Sequence, residues 1–209
     1  MQIINQQIDR YLDDLLPERE AVVQEMETLA KQRNCPSIGP QVGRICHQIA
    51  RSIGARRIFE LGSGFGYSTY WFATALPPGG KVFFTDFSDE NIKLARDFFD
   101  RCGVVTKVEI HKGDALDTLQ RTEGQFDLIF NDLDKALYPV TLDLVLPRLR
   151  KGGVLLTDNL LWHGKVLDPQ PSHQTQGIME YTRRIFSSQE LFTVLIPVRD
   201  GLGVSLKVR

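Results

Sequence analysis

The sequence is poor in cysteine, and the few cysteines that it has are not spaced as ligands or disulfide partners. Among 209 residues only Cys35, Cys46 and Cys102 are cysteines, and none belongs to a C-x-x-C pair. An odd number without that spacing supports neither a disulfide framework nor a thiolate metal site. We therefore interpret the three side chains as reduced thiols and expect a cytoplasmic protein.

Long hydrophobic runs and an excess of charge of one sign are also missing. No stretch approaches the roughly 18 consecutive apolar residues of a membrane helix, and the first residues, MQIINQQIDRYLDD, lack the apolar core of a signal peptide. We expect neither membrane insertion nor export. The 25 Lys and Arg residues nearly balance 26 Asp and Glu residues, for a net charge of −1. Nucleic-acid binding through bulk charge is therefore disfavoured.

The apolar residues that are present, 42% of the chain, are patterned for one domain. We predict a helical cap over residues 1–53 and an α/β core over residues 54–209. In the cap, helical spacing predicts one helix over residues 3–16, a second with Pro17 in its first turn, and a third over residues 41–53 after a loop at 34–40. The first two helices bring no strand with them, so we expect them to lie on the sheet or on a second subunit of a homodimer.

The core alternates short apolar runs with helical segments. Strands are predicted at 56–61, 81–85, 107–111, 126–130, 153–157, 191–197 and 203–208, with helices ending at Ala75 and spanning 89–102, 138–149 and 175–187. This alternation predicts a doubly wound, mostly parallel seven-stranded sheet. Only five residues separate the last two strands, so they are expected to form an antiparallel hairpin.

The first strand runs into a glycine-rich turn, ELGSGFGYS at 60–68, and then into a helix. Gly62 and Gly64 let the backbone approach a ligand closely, although a glycine turn kept for packing is the competing interpretation. A pyrophosphate-binding G-x-G-x-x-G loop would need glycine at position 67, which is Tyr67. The pattern therefore favours S-adenosylmethionine (SAM), whose ammonium group needs an acceptor, over a nicotinamide dinucleotide.

Acidic residues follow the next two strands. Asp86 ends the second strand, where a carboxylate accepts both hydroxyls of a ribose. Asp114 follows the third strand and offers a carboxylate to an adenine amino group. The alternatives are a turn or capping role for Asp86 and a helix N-cap for Asp114.

Three oxygen ligands follow the fourth and fifth strands: Asp132, Asp158 and Asn159. Carboxylate and amide oxygens suit a hard divalent cation such as Mg²⁺, with coordination positions left for water and substrate. Each residue alone is as compatible with a turn. Their joint placement beside the glycine-rich turn favours a metal site.

The ordered series ELGSGFGYS, TDFS, GDA, FNDLDKALY and LLTDNLLWHGKV resembles the motifs of the cation-dependent, catechol-type O-methyltransferases that use SAM, from about residue 36 to Arg209. The resemblance implies a Rossmann-like methyltransferase fold that transfers a methyl group to one hydroxyl of a small catechol-like aromatic diol. It assigns the residues as follows: Glu60, Gly62, Tyr67 and Ser68 around the methionine moiety; Asp86 on the ribose; Asp114 and Ala115 near the adenine; Asp132, Asp158 and Asn159 as Mg²⁺ ligands; and Lys135 as the catalytic base. We also expect Gly64 and Asp132 to border the cofactor.

The chain departs from the family's common FIDADKxNY pattern at Asn131, Leu133 and Leu137, which puts the local packing and the substrate wall in question. Trp162 is either a substrate wall or core, and His163 beside it is a candidate to line the acceptor pocket. Three alternative functions stay open. They are methylation of a hydroxylated RNA base, helped by a basic patch of Arg44, Arg51, Arg56 and Arg57; a nucleotide-binding oxidoreductase; and a binding protein without turnover.

Overall fold

A seven-stranded sheet forms the centre of the protein, whose computed structural model describes residues 5–35 and 37–209. The strands are β1 Arg57–Leu61, β2 Lys81–Asp86, β3 Val108–Lys112, β4 Phe126–Asn131, β5 Leu149–Thr157, β6 Leu191–Ile196 and β7 Leu202–Lys207. Their order is β3-β2-β1-β4-β5-β7-β6. The first five strands pair in parallel, and β7 pairs antiparallel with both β5 and β6. The predicted doubly wound sheet and its C-terminal hairpin are confirmed.

Helices cover both faces of this sheet. They are α1 Gln6–Asp14, α2 Ala21–Gln32, α3 Gly39–Ser52, α4 Tyr67–Ala75, α5 Asp89–Arg101, α6 Ala115–Arg121, α7 Tyr138–Val145 and α8 His173–Ser187. Side chains alternate along each strand, so Ile58 packs with α2 to α5 on one face while Phe59 packs with α6 to α8 on the other. Two hydrophobic layers thus hold the strand ends in fixed register.

Near the N-terminus the predicted start of the second helix is wrong, and parts of the predicted first helix and of the predicted loop cannot be assessed. The second helix begins at Ala21 after Glu20, not at Pro17. Arg19, in the non-helical segment between the two helices, pairs with Glu27 at 2.7 Å. Residues 3 and 4 of the predicted first helix and Pro36 of the predicted loop lie outside the described residues.

Two further differences lie in the second half of the sheet. The helix predicted over 138–149 ends at Val145 and continues as a 3-10 turn, Leu146–Arg148, so β5 begins at Leu149 rather than at Gly153. The short helix α6 between β3 and β4 was not predicted. It completes the layer that α7 and α8 form on its face of the sheet.

The two N-terminal helices differ in how they are covered. Helix α2 inserts Val23 and Met26, both 0% exposed, into the core beside α3 and α4. Helix α1 contacts α3 through Gln41, whose amide donates to Asp9 and Asp13, and leaves its apolar side chains exposed. Within the described part of the chain, no helix is both long and apolar enough to cross a membrane.

Candidate active site

Three neighbouring strands end at one level, and this alignment builds the site. Leu61 of β1 pairs with Asn131 of β4, which pairs with Thr157 of β5. The next residues stay in contact, because the Asp132 amide donates to the Leu61 carbonyl and the Asp158 amide donates to the Asn131 carbonyl, at 3.0 and 3.1 Å. The strand order reverses between β1 and β4, which is where open α/β sheets bind their ligands.

The glycine-rich turn approaches this crevice with its backbone. Gly62 has a φ of +84°, and a Cβ there would lie 3.0 Å from the Asp132 carbonyl oxygen. Glycine at this position therefore allows the β1 and β4 loops to touch. At Gly64 a Cβ would meet no described atom within 4 Å, so this part of the turn faces open space that a ligand can use.

Glu60, the buried acid before the turn, has one oxygen that needs a partner. Its Oε2 accepts hydrogen bonds from Ser63 at 3.3 Å and from Thr69, whereas Oε1 is buried without a hydrogen-bond partner among the described residues. Burial raises the pKa of Glu60 to about 7, against the lowering effect of the Ser68, Thr69 and Ser63 hydroxyls. A cationic ligand group would satisfy Oε1, so the residue fits the ammonium of SAM.

Tyr67 and Ser68 begin α4 next to this acid. Ser68 is buried and acts on Glu60 through its hydroxyl. The Tyr67 hydroxyl donates to Glu27 of α2 at 2.8 Å, and Glu27 is itself paired with Arg19. The sequence analysis missed Glu27, because its partner is forty residues away in the chain and no local pattern joins them.

Asp86 stands at the end of β2 as predicted and also holds the turn that follows. Its Oδ1 accepts from the Ser88 amide at 2.7 Å and from Asn91 Nδ2 at 3.2 Å. The turn role considered as its alternative is therefore present. The side chain is half-buried, and both of these hydrogen bonds use the same one of its two oxygens.

Asp114 serves as the N-cap of α6. Its Oδ1 accepts from the Asp117 amide at 2.8 Å, which is the capping alternative considered for this residue. Ala115, the first residue of α6, is buried. Both residues lie after β3, on the β2 side of the crevice, where an adenine role for them stays a prediction.

Lys135 and Asp132 form an ion pair at the end of β4. Lys135 Nζ donates to Asp132 Oδ1 at 2.7 Å and to the Leu133 carbonyl at 3.1 Å. It also lies 5.1 Å from the centre of the Tyr138 ring. The lysine side chain is 10% exposed, so this ammonium and carboxylate meet in a largely desolvated place.

Asp158 lies at the end of the neighbouring strand, and the charges of Asp132 and Lys135 act on it. Burial, and then the negative charge of Asp132, raise the pKa of Asp158 to about 7, while Lys135 lowers it. The Tyr138 hydroxyl donates to the Asp158 carbonyl at 2.9 Å and links the Lys135 turn to this loop. Tyr138 is therefore a further site residue, one that the motif pattern retained but to which the sequence analysis gave no role.

The metal-ligand candidates fit a divalent cation by their chemistry. Among residues 5–35 and 37–209, no group of three or more His, Cys, Asp or Glu side chains is arranged to hold a metal ion. The candidate ligands are the two carboxylates and one amide that the sequence predicted: Asp132, Asp158 and Asn159. Because the charge of Asp132 opposes ionisation of Asp158, a cation between these loops would stabilise both carboxylates. Asn159 has a φ of +61°, which asparagine tolerates better than most residues.

The residues that depart from the family pattern are accommodated. Asn131 is fully buried, but its Nδ2 donates to Thr141 at 3.2 Å. Leu133 is half-buried beside Gly62, and Leu137 is 38% exposed. These contacts explain how a polar side chain replaces an apolar one within β4.

Of the two roles weighed for Trp162, the structure shows the core one in part, and the substrate-wall role stays a prediction. Trp162 packs against the core yet remains half-buried, and its ring stacks on His163 with centroids 5.7 Å apart. Lys165 Nζ lies 5.4 Å from the same ring. Trp162, His163 and Gly164 all have positive φ, so this loop has an unusual backbone that displays its side chains beside Asn159.

Two of the four arginines suggested for RNA binding, Arg56 and Arg57, do not lie at this site. Arg56 and Arg57 stand at the start of β1, the opposite edge of the sheet, where their amides both donate to Asp127 at 2.8 Å. The Arg57 guanidinium lies over the rings of Phe83 and Phe126, at 5.0 and 5.2 Å. These two arginines therefore have structural partners away from the crevice.

The fold and the crevice define a Rossmann-like protein with a nucleoside-type ligand site at the switch point of its sheet, and comparison with known proteins specifies the class. The chain belongs to the O-methyltransferase family, whose model matches residues 16–208. The match includes α2, which the motif resemblance did not reach. It confirms the resemblance and excludes the oxidoreductase alternative.

Individual relatives agree with this assignment. The chain is 33% identical over 188 residues to a catechol O-methyltransferase of Niastella koreensis, covering 87% of this chain and 83% of that protein. It is similar to the crystal structure of the O-methyltransferase TomG from Streptomyces achromogenes in complex with SAM, with a TM-score of 0.87, 27% identity and coverage of 97% and 96%. It is also similar to an O-methyltransferase from Bacillus cereus in complex with SAH, the demethylated product of SAM, with a TM-score of 0.86, 28% identity and coverage of 96% and 97%.

Proposed function

We propose that this methyltransferase moves the methyl group of SAM to one hydroxyl of a small catechol-like aromatic diol, with a divalent cation such as Mg²⁺ in the site. The observation that carries the proposal is a pair of carboxylates, the partly exposed Asp132 and the buried Asp158, at adjacent strand ends beside the Glu60 turn. Two such acids and a lysine are more than a cofactor site needs. They suit a site that also holds and deprotonates an acceptor.

The cofactor part of the proposal has support along the whole crevice. Glu60 Oε1 would accept from the ammonium, and the open space at Gly64 would admit the methionine moiety beside Tyr67 and Ser68. Asp86 would bind the ribose, with Asp114 and Ala115 near the adenine at the edge of β3. Both similar structures described above contain SAM or its product.

The cation would be held by Asp132, Asp158 and Asn159. When bound, a divalent cation lowers the pKa of a coordinated hydroxyl and fixes its orientation. Asp132 is already engaged by Lys135 at 2.7 Å, so in our proposal this carboxylate exchanges part of its contact with the lysine for the cation. Tyr138 would keep Asp158 in place through the bond to its carbonyl oxygen.

Lys135 would act as the base. To act as a base the amine must be neutral, and in the proposal the cation replaces the Lys135 ammonium as the partner of Asp132. Lys135 Nζ then takes the proton of the acceptor hydroxyl while the oxygen bonds to the methyl carbon. The carbon–sulfur bond breaks with its electron pair on sulfur, and SAH remains.

An acceptor screen tests the proposal. Purified protein would be incubated with SAM and matched pairs of aromatic compounds that carry either two adjacent hydroxyls or one, with Mg²⁺ or with excess EDTA. We expect methylation of the diols only, loss of turnover in EDTA, and recovery when Mg²⁺ is restored. Full turnover in EDTA would refute the cation, and equal methylation of the single-hydroxyl compounds would refute the diol.

Two further parts of the proposal concern the protein's surroundings. We propose a homodimer, because Ile8, Tyr11 and Leu15 line one face of α1 and are 52%, 60% and 61% exposed. We also propose a cytoplasmic location. It is supported by three cysteine side chains, all in the described residues, that form no disulfide with one another.

A further inference from the structure

The turn between β6 and β7 is attached to the loop that carries Asn159. The Leu160 amide donates to the Gly201 carbonyl at 3.0 Å, and the Leu161 amide donates to the Asp200 carbonyl at 2.9 Å. Gly201 has a φ of +87°, and a Cβ there would lie 2.5 Å from Leu161 Cγ. Glycine is therefore required for this close approach, which brings Asp200 beside Asn159.

The Asp200 side chain is 10% exposed and turns toward the Asn159 loop. Its Oδ2 accepts from Asn159 Nδ2 at 3.3 Å, and its Oδ1 accepts from the His163 amide at 2.5 Å. His163 Nδ1 also lies 3.6 Å from Oδ2. One buried carboxylate thus holds the side chain of Asn159 and the backbone of the loop that follows it.

We propose that Asp200 is a positioning residue that orients the Asn159 amide so that its oxygen, and not its nitrogen, is presented to the divalent cation. An asparagine amide has a donor end and an acceptor end, and only the oxygen end ligates a hard cation. A carboxylate only accepts, so it binds the Nδ2 end and leaves Oδ1 for the metal. The inference rests on the cation in the proposed function.

Asp200→Asn is the most informative substitution, because it preserves size, turns one acceptor oxygen into an NH₂ donor and removes one negative charge, which the matched control also removes. The new side chain has one oxygen, which we expect to keep the short bond from the His163 amide. Its NH₂ group would then face the NH₂ group of Asn159. Two donors repel, so the Asn159 amide would turn and place nitrogen at the metal position.

The test measures metal affinity without turnover. Mn²⁺ would be titrated into the full-length protein saturated with SAH, and free Mn²⁺ would be followed by electron paramagnetic resonance. We expect Asp200→Asn to weaken Mn²⁺ binding at least about tenfold, as expected for a residue that orients a metal ligand. The affinity for SAH, measured by calorimetry, should be unchanged.

Asp134→Asn is the matched control. Asp134 is an exposed acid two residues from Asp132, and its Oδ1 accepts from the Ala136 amide, which asparagine would also do. The control removes the same charge near the site, from a residue whose hydrogen bond lies within its own turn. We expect it to change Mn²⁺ affinity by less than about threefold, because an exposed charge is screened by solvent.

The Asn159→Ala background separates orientation from attraction by charge. If Asp200 acts through Asn159, Asp200→Asn causes no further loss in that background; if it attracts the metal by its charge, the two losses multiply. Multiplying losses, or an Asp200→Asn effect no larger than that of Asp134→Asn, would overturn the inference. A parent protein that binds no Mn²⁺ would instead overturn the cation of the proposed function.

Discussion

If Glu60 binds the ammonium of SAM as proposed, ligand binding should depend on pH. The raised Glu60 pKa of about 7 means that the carboxyl is largely protonated at lower pH, whereas the ammonium of a bound SAM or SAH needs the ionised form. Protonation therefore competes with binding as the pH falls through 7. We expect SAH to bind about tenfold more weakly at about pH 6 than at about pH 8 in calorimetric titrations.

Glu60→Gln is the control for this effect. The amide keeps the size of the side chain and does not titrate, so its SAH affinity should be lower than the parent's at pH 8 and nearly flat over the same range. A parent profile without slope, or an equal slope in the variant, would show that another group causes the dependence.

Lys135 has two possible roles that a pair of substitutions can separate. If it accepts the substrate proton, Lys135→Ala should lower kcat by about 10² to 10⁴ and leave SAH affinity nearly unchanged. Mn²⁺ affinity should not fall, because the alanine variant frees Asp132 from the ammonium that now holds it.

Lys135→Arg completes this comparison. Arginine keeps a positive charge and hydrogen-bond donors for Asp132 but does not give up its proton near neutral pH. It should therefore be almost as slow as the alanine variant. Near-parental turnover of Lys135→Arg would mean that the side chain only pairs with the acid.

The site residues whose positions sequence predicted are those that follow the end of a strand, while their roles stay predictions. Asp132 and Asp158 follow buried strands, and parallel pairing in register is enough to bring them to one edge. Glu27 and Asp200 were missed as site residues because each reaches the crevice from an element that no local pattern links to it. Tyr138 lies within the FNDLDKALY motif, but the pattern does not show that its hydroxyl donates to the Asp158 carbonyl. Asp86 and Asp114 stand where predicted, but each also holds its local backbone.

Among the elements, the long periodic segments were predicted accurately. A short helix and a helix start set by tertiary contacts were not. The seven strands were all found, since each is a compact apolar run between turn residues. Helix α6 has only seven residues and was missed. The start of α2 moved from Pro17 to Ala21, next to the ion pair of Arg19 with Glu27, which proline spacing does not encode.

Helix α2 belongs to the core, and loss of its buried contacts should lower the free energy of unfolding. Met26 is 0% exposed and packs among buried side chains, so Met26→Ala should lower the free energy of unfolding by about 2 to 5 kcal/mol. Urea unfolding followed by circular dichroism measures this. Ile8→Ala on α1, at 52% exposure, is the matched control and should lower it by less than about 0.5 kcal/mol. Equal losses would mean that α1 is also buried in solution, and no loss at Met26 would contradict its packing.

At the scale of the whole molecule, the cap and the sheet share one hydrophobic layer. Residues of α2 and α3 pack in the same cluster as those of α4, α5 and the sheet. The division at residue 53 stays a prediction, although this shared core gives no reason to expect the sheet to fold without α2. Helix α1 is different, because its contact with α3 is polar and its apolar face is uncovered.

The uncovered apolar stripe of α1 is the proposed dimer interface, and its removal should separate the subunits. Replacing Ile8, Tyr11 and Leu15 together with serine removes the exposed apolar stripe, and none of the three is buried in the subunit. If the stripe is the dimer interface, the variant should be monomeric in light scattering and still bind SAH like the parent, because the crevice lies at the strand ends within one chain. The stripe alone would then account for assembly.

A matched triple substitution of exposed polar residues of α1 controls for damage to the helix itself. Gln6, Arg10 and Asp14 are exposed and polar, and their replacement with serine changes three positions of the helix while leaving the apolar side chains of the stripe in place. This control should have the parent's mass in solution. A stripe variant that stays dimeric would move the interface elsewhere, with the exposed Phe192 and Val194 of edge strand β6 the next surface to test. A monomeric parent would refute the homodimer outright, because no substitution on α1 could then alter its mass.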